Sequence, residues 1–258
     1  MLLIVVALLG LAVGSFLNVV IYRVPRDESL IHPRSHCPAC GSEVRNRHNI
    51  PVLGWLMLRG RCADCEAPIS PRYPLVETVT AALFVAVAAK FGLTWELPAY
   101  LYLAAIAVAL AVIDLDVMRL PDKIVLPSYA VALVLIAPAV IAHHSWQQAG
   151  RGLIAAAVLY VLYWILAALP SGMGGGDVKL APLLGFYLGW LGWSSVVIGA
   201  FAAFLLGGLV GAALMGLRRA HRKSRIPFGP YMLAGAFLAV FAGAPIADWY
   251  SSLLVPTV

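Results

Sequence analysis

Eight runs of mainly apolar residues, each about as long as a membrane-crossing helix, constrain this sequence more than any other feature. A transmembrane helix needs about 20 consecutive apolar residues, and only helices or closed barrels satisfy the backbone hydrogen bonds inside a bilayer. Of all residues 62% are hydrophobic and 12% are charged, the latter roughly half the share of a soluble domain. The runs lie near 2–22, 74–91, 97–113, 124–142, 152–169, 178–194, 196–216 and 228–247. They predict an all-α polytopic membrane protein with about eight transmembrane helices.

The distribution of basic residues predicts how these helices are oriented. Cytoplasmic segments of membrane proteins carry an excess of Lys and Arg, and the first basic residues, Arg23 and Arg26, follow the first run. If the N-terminus lies outside, the cytoplasmic segments hold 16 of the 18 basic residues, and the outer segments hold only Lys90 and Arg151. The net charge of +6 is therefore interpreted as a topology signal rather than as a sign of nucleic-acid binding.

All four cysteines lie in the longest polar segment, 23–73, which the orientation places in the cytoplasm. They are Cys37, Cys40, Cys62 and Cys65. Two C-x2-C turns can direct four thiolates at one tetrahedral ion, and a reducing cytoplasm disfavours disulfides. The pattern favours a small zinc-binding insert whose folding depends on the metal, with thiol oxidoreductase chemistry as the alternative. Four thiolates complete the shell, so the neighbouring His36 and His48 are not expected to be ligands.

Two acidic stretches stand at the edges of apolar runs. Asp114 closes the third run, and Asp116 and Asp122 follow it. Asp177 comes directly after a glycine-rich stretch at 172–176. An acid at the centre of a bilayer costs about 3 kcal/mol on insertion scales, so acids at a membrane boundary point to function. Because both stretches are predicted at the cytoplasmic side, Asp114 and Asp177 could meet as a protease-like pair, whereas the other two acids are interpreted as interfacial charges.

The residues alone leave other functions open. A proton- or cation-coupled transporter also uses acids in its spans, although its site is expected near the bilayer midplane. The spacings of the common glycine-rich phosphate-binding loops are absent. Glu77, near the start of the second run, suits a helix N-terminus, and handling of a basic leader or a new amine is its alternative role.

Several motifs together resemble those of one protein family. Residues 174–177 read Gly-Gly-Gly-Asp, similar to the G-x-G-D motif of polytopic aspartyl proteases, and 114–122 resembles the D-x6-P-[DN] element of bacterial type IV prepilin peptidases. The segments 14–25, 69–77 and 226–230 and the paired C-x2-C turns match the other landmarks of that family in the same order. The resemblance covers nearly the whole chain.

The resemblance implies an aspartyl endopeptidase whose catalytic pair is Asp114 and Asp177. Such an enzyme removes the basic leader from type IV prepilins and pseudopilins at the cytoplasmic face of the bacterial inner membrane. Members with the long cysteine-containing segment also N-methylate the new amino terminus with S-adenosylmethionine. The expected partners are therefore prepilins and the lipid bilayer, and not nucleic acid.

The domain organisation expected from these patterns has three parts. The first transmembrane helix occupies 1–22, the four-cysteine zinc-binding segment occupies 23–73, and a seven-helix membrane protease core occupies 74–258.

Overall fold

The computed structural model of the chain describes residues 1–169, 173–217 and 226–254. Within these residues every regular element is a helix, apart from two isolated β-bridges in the cysteine segment, which confirms the all-α prediction. The α-helices are α1 (Leu2–Arg23), α2 (Leu53–Met57), α3 (Arg72–Phe91), α4 (Leu97–Val117), α5 (Asp122–His143), α6 (Trp146–Ala168), α7 (Gly175–Leu191), α8 (Trp193–Gly216) and α9 (Gly229–Leu254). Gly172 and the basic residues counted between 218 and 225 lie outside the described residues.

Seven of the described helices are long and apolar enough to cross a membrane: α1, α3, α4, α5, α6, α8 and α9. The predicted run at 178–194 differs, because it folds as α7, which has only 17 residues. At 1.5 Å per residue this helix is about 26 Å long, less than the hydrocarbon thickness of about 30 Å. It ends at Leu191 because Gly192 leaves the helical conformation before α8 begins.

The chain forms two compact units, Met1–Ala109 and Leu110–Val258, which divide it within α4. In the first unit α1 packs closely against α3. A Cβ atom added at Gly10 would lie 2.6 Å from the Cα of Ala81, and one added at Gly14 would lie 2.7 Å from the Cα of Glu77. Glycines four residues apart thus let the two backbones touch, as in other membrane helix pairs.

In the second unit α7 is the central helix, and it packs against α5, α6, α8 and α9. Most of its side chains are buried. Because α7 is surrounded by protein rather than by lipid, its ends do not leave polar backbone groups in hydrocarbon, where they would lack hydrogen-bond partners. This packing explains how so short a helix is accommodated.

Arg151 of α6 caps the C-terminal end of α7. Its guanidinium donates a hydrogen bond from Nε to the carbonyl of Gly189 at 2.6 Å and one from Nη2 to the carbonyl of Trp190 at 2.7 Å. The last carbonyls of a helix have no partner within the helix, and a cation suits the negative end of the helix dipole. One of the two basic residues predicted on the outer side therefore has a structural role.

We expect Arg151→Met to lower the free energy of unfolding by about 3 kcal/mol, because it removes two hydrogen bonds from a charged group, each contributing about 1.5–3 kcal/mol. Equilibrium unfolding of the purified protein in detergent measures the change. Arg151→Lys is the matched control: it keeps the charge but lacks the two-pronged geometry, so it should recover less than half of the loss. A methionine variant as stable as the parent would show that this cap does not stabilise α7.

Candidate active site

Asp114 is a buried acid in the last turn of α4. The helix continues to Val117 instead of ending with the apolar run at residue 113, so Asp114 is held by helical backbone. Its side chain is 5% exposed. The Oδ2 atom accepts a hydrogen bond of 3.0 Å from the backbone N–H of Gly229, the first residue of α9. The N-terminus of α9 therefore fixes this carboxyl group from across the second unit.

Asp177 lies in the first turn of α7, where the positive end of the helix dipole favours an acid. Its backbone N–H donates to the carbonyl of Gly174 at 3.0 Å, and the residue is 8% exposed. The carboxylates of Asp177 and Asp114 act on each other electrostatically. The structure thus brings two acids that are 63 positions apart in the chain into one buried region of the second unit.

Leu120 fills the space between two glycines beside these acids. A Cβ atom at Gly176 would lie 3.0 Å from the Cβ of Leu120, and one at Gly229 would lie 3.2 Å from its Cδ2. The same added atom at Gly229 would lie 2.7 Å from Oδ2 of Asp114. Any side chain at 229 would therefore displace the carboxyl group or Leu120. The sequence alone did not indicate a role for Leu120 or Gly229, and the only signal for Gly229 was its place in the motif at 226–230.

Tyr163 of α6 is a third buried polar side chain in this region, and sequence reasoning missed it. It is 2% exposed and acts electrostatically on Asp177. Its ring centroid lies 6.4 Å from that of Phe228, which directly precedes Gly229. With Ala181 it also lines a cavity of about 10 Å³, close to the space that one water needs. A tyrosine inside an apolar run was the only signal in the sequence.

An ion pair joins the N-terminal ends of α5 and α7. Nζ of Lys179 lies 2.9 and 2.8 Å from the two carboxylate oxygens of Asp122, and the hydroxyl of Tyr129 donates to the backbone carbonyl of Lys179. Lys179 therefore pairs with Asp122 and not with Asp177. The pair is about half exposed, and Asp116 is exposed as well, as expected for acids at a membrane boundary.

The four cysteines form one cluster in the first unit. Sγ of Cys37 lies 3.8 Å from Sγ of Cys65, Sγ of Cys40 lies 4.0 Å from Sγ of Cys62, and all four sulfurs lie within 4.8 Å of one another. Four sulfurs bound to zinc at 2.3 Å in a tetrahedron would be about 3.8 Å apart. The cluster therefore fits a metal ion with little rearrangement.

The two cysteine turns share one backbone pattern. The N–H of Cys37 donates to the carbonyl of Ser42, and the N–H of Gly41 donates to the carbonyl of Cys37. In the second turn the N–H of Cys62 donates to the carbonyl of Ala67, and the N–H of Glu66 donates to the carbonyl of Cys62. In both turns the residue after the second cysteine has a positive φ, +74° in the first and +59° in the second. Such paired turns aim both thiols of each pair at a common point.

The surroundings of the cysteines also suit metal binding. Hydrogen bonds with the side chain and then the backbone of Ser42 lower the pKa of the Cys40 thiol to about 6, which favours the thiolate, the form that binds metal. The guanidinium of Arg45 lies 2.7 Å from the carboxylate of Asp64 and links the two turns. Neither His36 nor His48 belongs to the cluster.

Comparisons with known proteins identify the family of the chain. Residues 8–91 match the family described as "Bacterial Peptidase A24 N-terminal domain", and residues 101–213 match the "Type IV leader peptidase family". A protein from Aeromonas hydrophila is 41% identical, over 95% of this chain and 92% of its own length. The chain belongs to the type IV leader peptidase family. No solved structure matches.

Other relatives carry the same name as the Aeromonas protein, "Prepilin leader peptidase/N-methyltransferase". One from Pseudomonas aeruginosa is 36% identical, over 94% of this chain and 91% of its own length, and one from Legionella pneumophila is 34% identical, over 95% and 93%. Membership of the leader peptidase family, together with seven helices able to cross a membrane, makes this a multi-pass bacterial membrane protein. The family resemblance stated from the motifs is confirmed.

Proposed function

We propose that this protein is a bifunctional prepilin leader peptidase and N-methyltransferase, the function named for its relatives. One observation carries the peptidase activity: carboxyl groups from α4 and α7 are buried together, each at a helix end. Neither the transporter nor the thiol oxidoreductase hypothesis receives support from the family comparison.

Asp114 and Asp177 are the proposed catalytic pair. Two carboxyl groups held close together cannot both ionise, so the pair retains one proton at neutral pH. The ionised carboxylate removes a proton from water, and the resulting nucleophile attacks the scissile carbonyl. The protonated carboxyl supports the developing oxyanion and then supplies a proton to the leaving amine. The titration belongs to the pair rather than to either residue.

Three contacts position this pair, and two of them involve the loop between α4 and α5. The hydrogen bond from Gly229 fixes the carboxyl group of Asp114, and Leu120 packs against Gly176, next to Asp177. The ion pair between Asp122 and Lys179 holds the end of this loop against the first turn of α7. We infer that these contacts keep the two acids in register for a shared water.

Charge reversal across that ion pair tests its positioning role. Asp122→Lys and Lys179→Asp should each lower kcat, and the double reversal should recover most of the loss. The coupling expected for an exposed pair is at most about 1 kcal/mol, or about fivefold in rate. Kinetics of prepilin cleavage for the four proteins give the coupling, and additive effects of the two changes would exclude it. KM should stay constant, because neither side chain is expected to touch substrate.

The substrate is proposed to be a prepilin or pseudopilin with a basic leader in the cytoplasm and an apolar helix in the membrane. The N-terminus is placed outside and the cysteine segment in the cytoplasm, on the strength of the asymmetry in basic residues. This orientation puts Asp114 and Asp177 near the cytoplasmic face of the inner membrane, where the leader begins. We also propose that the chain is divided into a first transmembrane helix (1–22), the cysteine segment (23–73) and the membrane protease core (74–258).

Zinc is the ion proposed for Cys37, Cys40, Cys62 and Cys65. Four thiolates complete its tetrahedral shell, so it would stabilise the fold of the segment rather than take part in the chemistry.

S-Adenosylmethionine is the proposed methyl donor, and it would supply an electrophilic methyl group to the new amino terminus. A cavity of about 500 Å³ lies between α5, α6 and α7. Its lining is almost wholly apolar and includes no carboxylate, with Tyr129, Tyr160 and Lys179 as its polar members. It therefore does not fit the ribose and amino-acid groups of the donor.

Incubating the purified protein with a prepilin and isotope-labelled S-adenosylmethionine tests both activities at once. We expect the prepilin to lose the mass of its leader and the mature product to gain one labelled methyl group. An intact prepilin after full incubation, with the protein folded, would refute the peptidase proposal, and a cleaved but unlabelled product would refute only the methyltransferase.

A further inference from the structure

The short helix α2 carries an apolar face that no other residue of the first unit covers. The exposed side chains are those of Ile50, Leu53, Leu56 and Met57, which are 45%, 56%, 55% and 64% exposed. Leu53, Leu56 and Met57 are spaced as residues on one face of a helix. An exposed apolar surface in a polar segment indicates an interaction site.

A hydrogen bond fixes α2 beside a membrane helix. The backbone N–H of Val52, at the start of α2, donates to Oε2 of Glu77 at 2.7 Å. Val52 has φ +60°, which is unfavourable for a β-branched residue. The bond to Glu77 therefore stabilises an otherwise disfavoured conformation, and it sets the height of α2 along α3.

When the candidate membrane span of α3 is counted from its first residue, Arg72, that height falls at the boundary between headgroups and hydrocarbon. Glu77 lies five residues after the start of α3 at Arg72, about 8 Å along the helix axis. Helices that lie in a membrane interface are buried about 5–10 Å into the same boundary. Gly14 of α1 packs against Glu77, so a second membrane helix also extends past this level.

The charges around α2 fit the same location. Arg47 precedes the apolar face, Arg59 and Arg61 follow it, and all three are exposed. Cationic side chains beside an inserted apolar face attract anionic lipid headgroups. On its other side α2 contacts the chain just after the second cysteine turn, because Nε1 of Trp55 donates to the carbonyl of Ile69 at 3.0 Å.

We propose that α2 is an interfacial anchor whose apolar face (Ile50, Leu53, Leu56 and Met57) inserts into the lipid bilayer and holds the four-cysteine module against the membrane surface. This assignment is independent of the peptidase activity, because it rests on the first unit alone. A bilayer fits this face better than a protein partner does, because the hydrogen bond to Glu77 of α3 holds α2 at a depth where lipid is the surrounding medium.

Photo-crosslinking of the full-length protein tests the anchor. Benzoylphenylalanine is introduced in place of Leu56 or, in a second variant, Met57, and the protein is reconstituted in vesicles of phosphatidylethanolamine and phosphatidylglycerol. The same substitution at Leu8, which is 62% exposed in the candidate membrane span α1, is the positive control. Glu43, exposed in the first cysteine turn, is the negative control.

After irradiation, mass spectrometry should find phospholipid adducts at positions 56 and 57 at a yield near that of position 8 and about tenfold above that of position 43, as expected for residues buried in the interface. Yields at 56 and 57 no higher than at 43 would overturn the proposal. So would adducts to a second copy of the chain, or to added prepilin, in place of lipid.

Discussion

Asp114→Asn and Asp177→Asn should each lower the rate of prepilin cleavage by at least about 1,000-fold, because each removes one half of the proposed acid–base pair. Asparagine has nearly the shape of aspartate but can neither give up nor take up a proton at neutral pH. The amide at 114 can still accept the hydrogen bond from the backbone of Gly229, so the fold should be preserved. Quantitative cleavage assays in detergent measure the rates, and circular dichroism checks the helix content.

Asp116→Asn is the matched control for these variants. Asp116 lies two residues after Asp114 but is exposed, so its rate should stay within about twofold of the parent, as for most surface substitutions. Retention of a tenth or more of the parent rate by either variant of the pair would remove that residue from the catalytic mechanism.

Removing the cysteine ligands should have the second-largest effect, this time on the cysteine segment. The variant Cys37→Ser/Cys65→Ser leaves two thiolates, and binding of structural zinc by small modules is worth about 10–16 kcal/mol at neutral pH. We expect the parent to hold one zinc ion per chain by elemental analysis and the double variant to hold almost none. Trypsin should then cleave the variant rapidly at Arg45 and Arg47 while the membrane helices stay intact. Acidification of the parent should release the ion as the thiolates become protonated.

His36→Ala separates metal binding from a general disturbance of the segment. His36 is adjacent to Cys37 in the chain but is not part of the cluster, and its Nδ1 contacts the carbonyl of Arg34 at 3.0 Å. Its alanine variant should keep the zinc and resist trypsin. Full zinc content in the cysteine variant, or its loss in the histidine variant, would show that the ligand set is wrong.

The membrane helices could be predicted from the sequence because a bilayer leaves an apolar run few alternatives to the α-helix. Some boundaries follow from local chemistry as well. Pro121 restricts Leu120 to extended backbone and suits a helix start, and α5 begins at Asp122. Asp114 and Asp116 continue α4 four residues beyond the apolar run, to Val117.

The contacts that shape the candidate site could not be predicted, because they join residues distant in sequence. The bond from Gly229 to Asp114 spans 115 positions, and no local pattern at either end indicates it. The same holds for Val52 and Glu77, where an unfavourable backbone conformation is stabilised by a carboxylate 25 residues away. Tyr163 is part of the site only because α6 packs along α7.

The position of α7 has a consequence for how water reaches the scissile bond. α6 and α9, with 23 and 26 residues, are about 35 and 39 Å long at 1.5 Å per residue, compared with about 26 Å for α7. Because α9 begins at Gly229, which contacts Leu120 beside Gly176, its extra length lies beyond the C-terminal end of α7 and not at the end that carries Asp177. Gly174 and Gly175 are exposed just before Asp177, so water would reach the first turn of α7 without a solvent path through lipid.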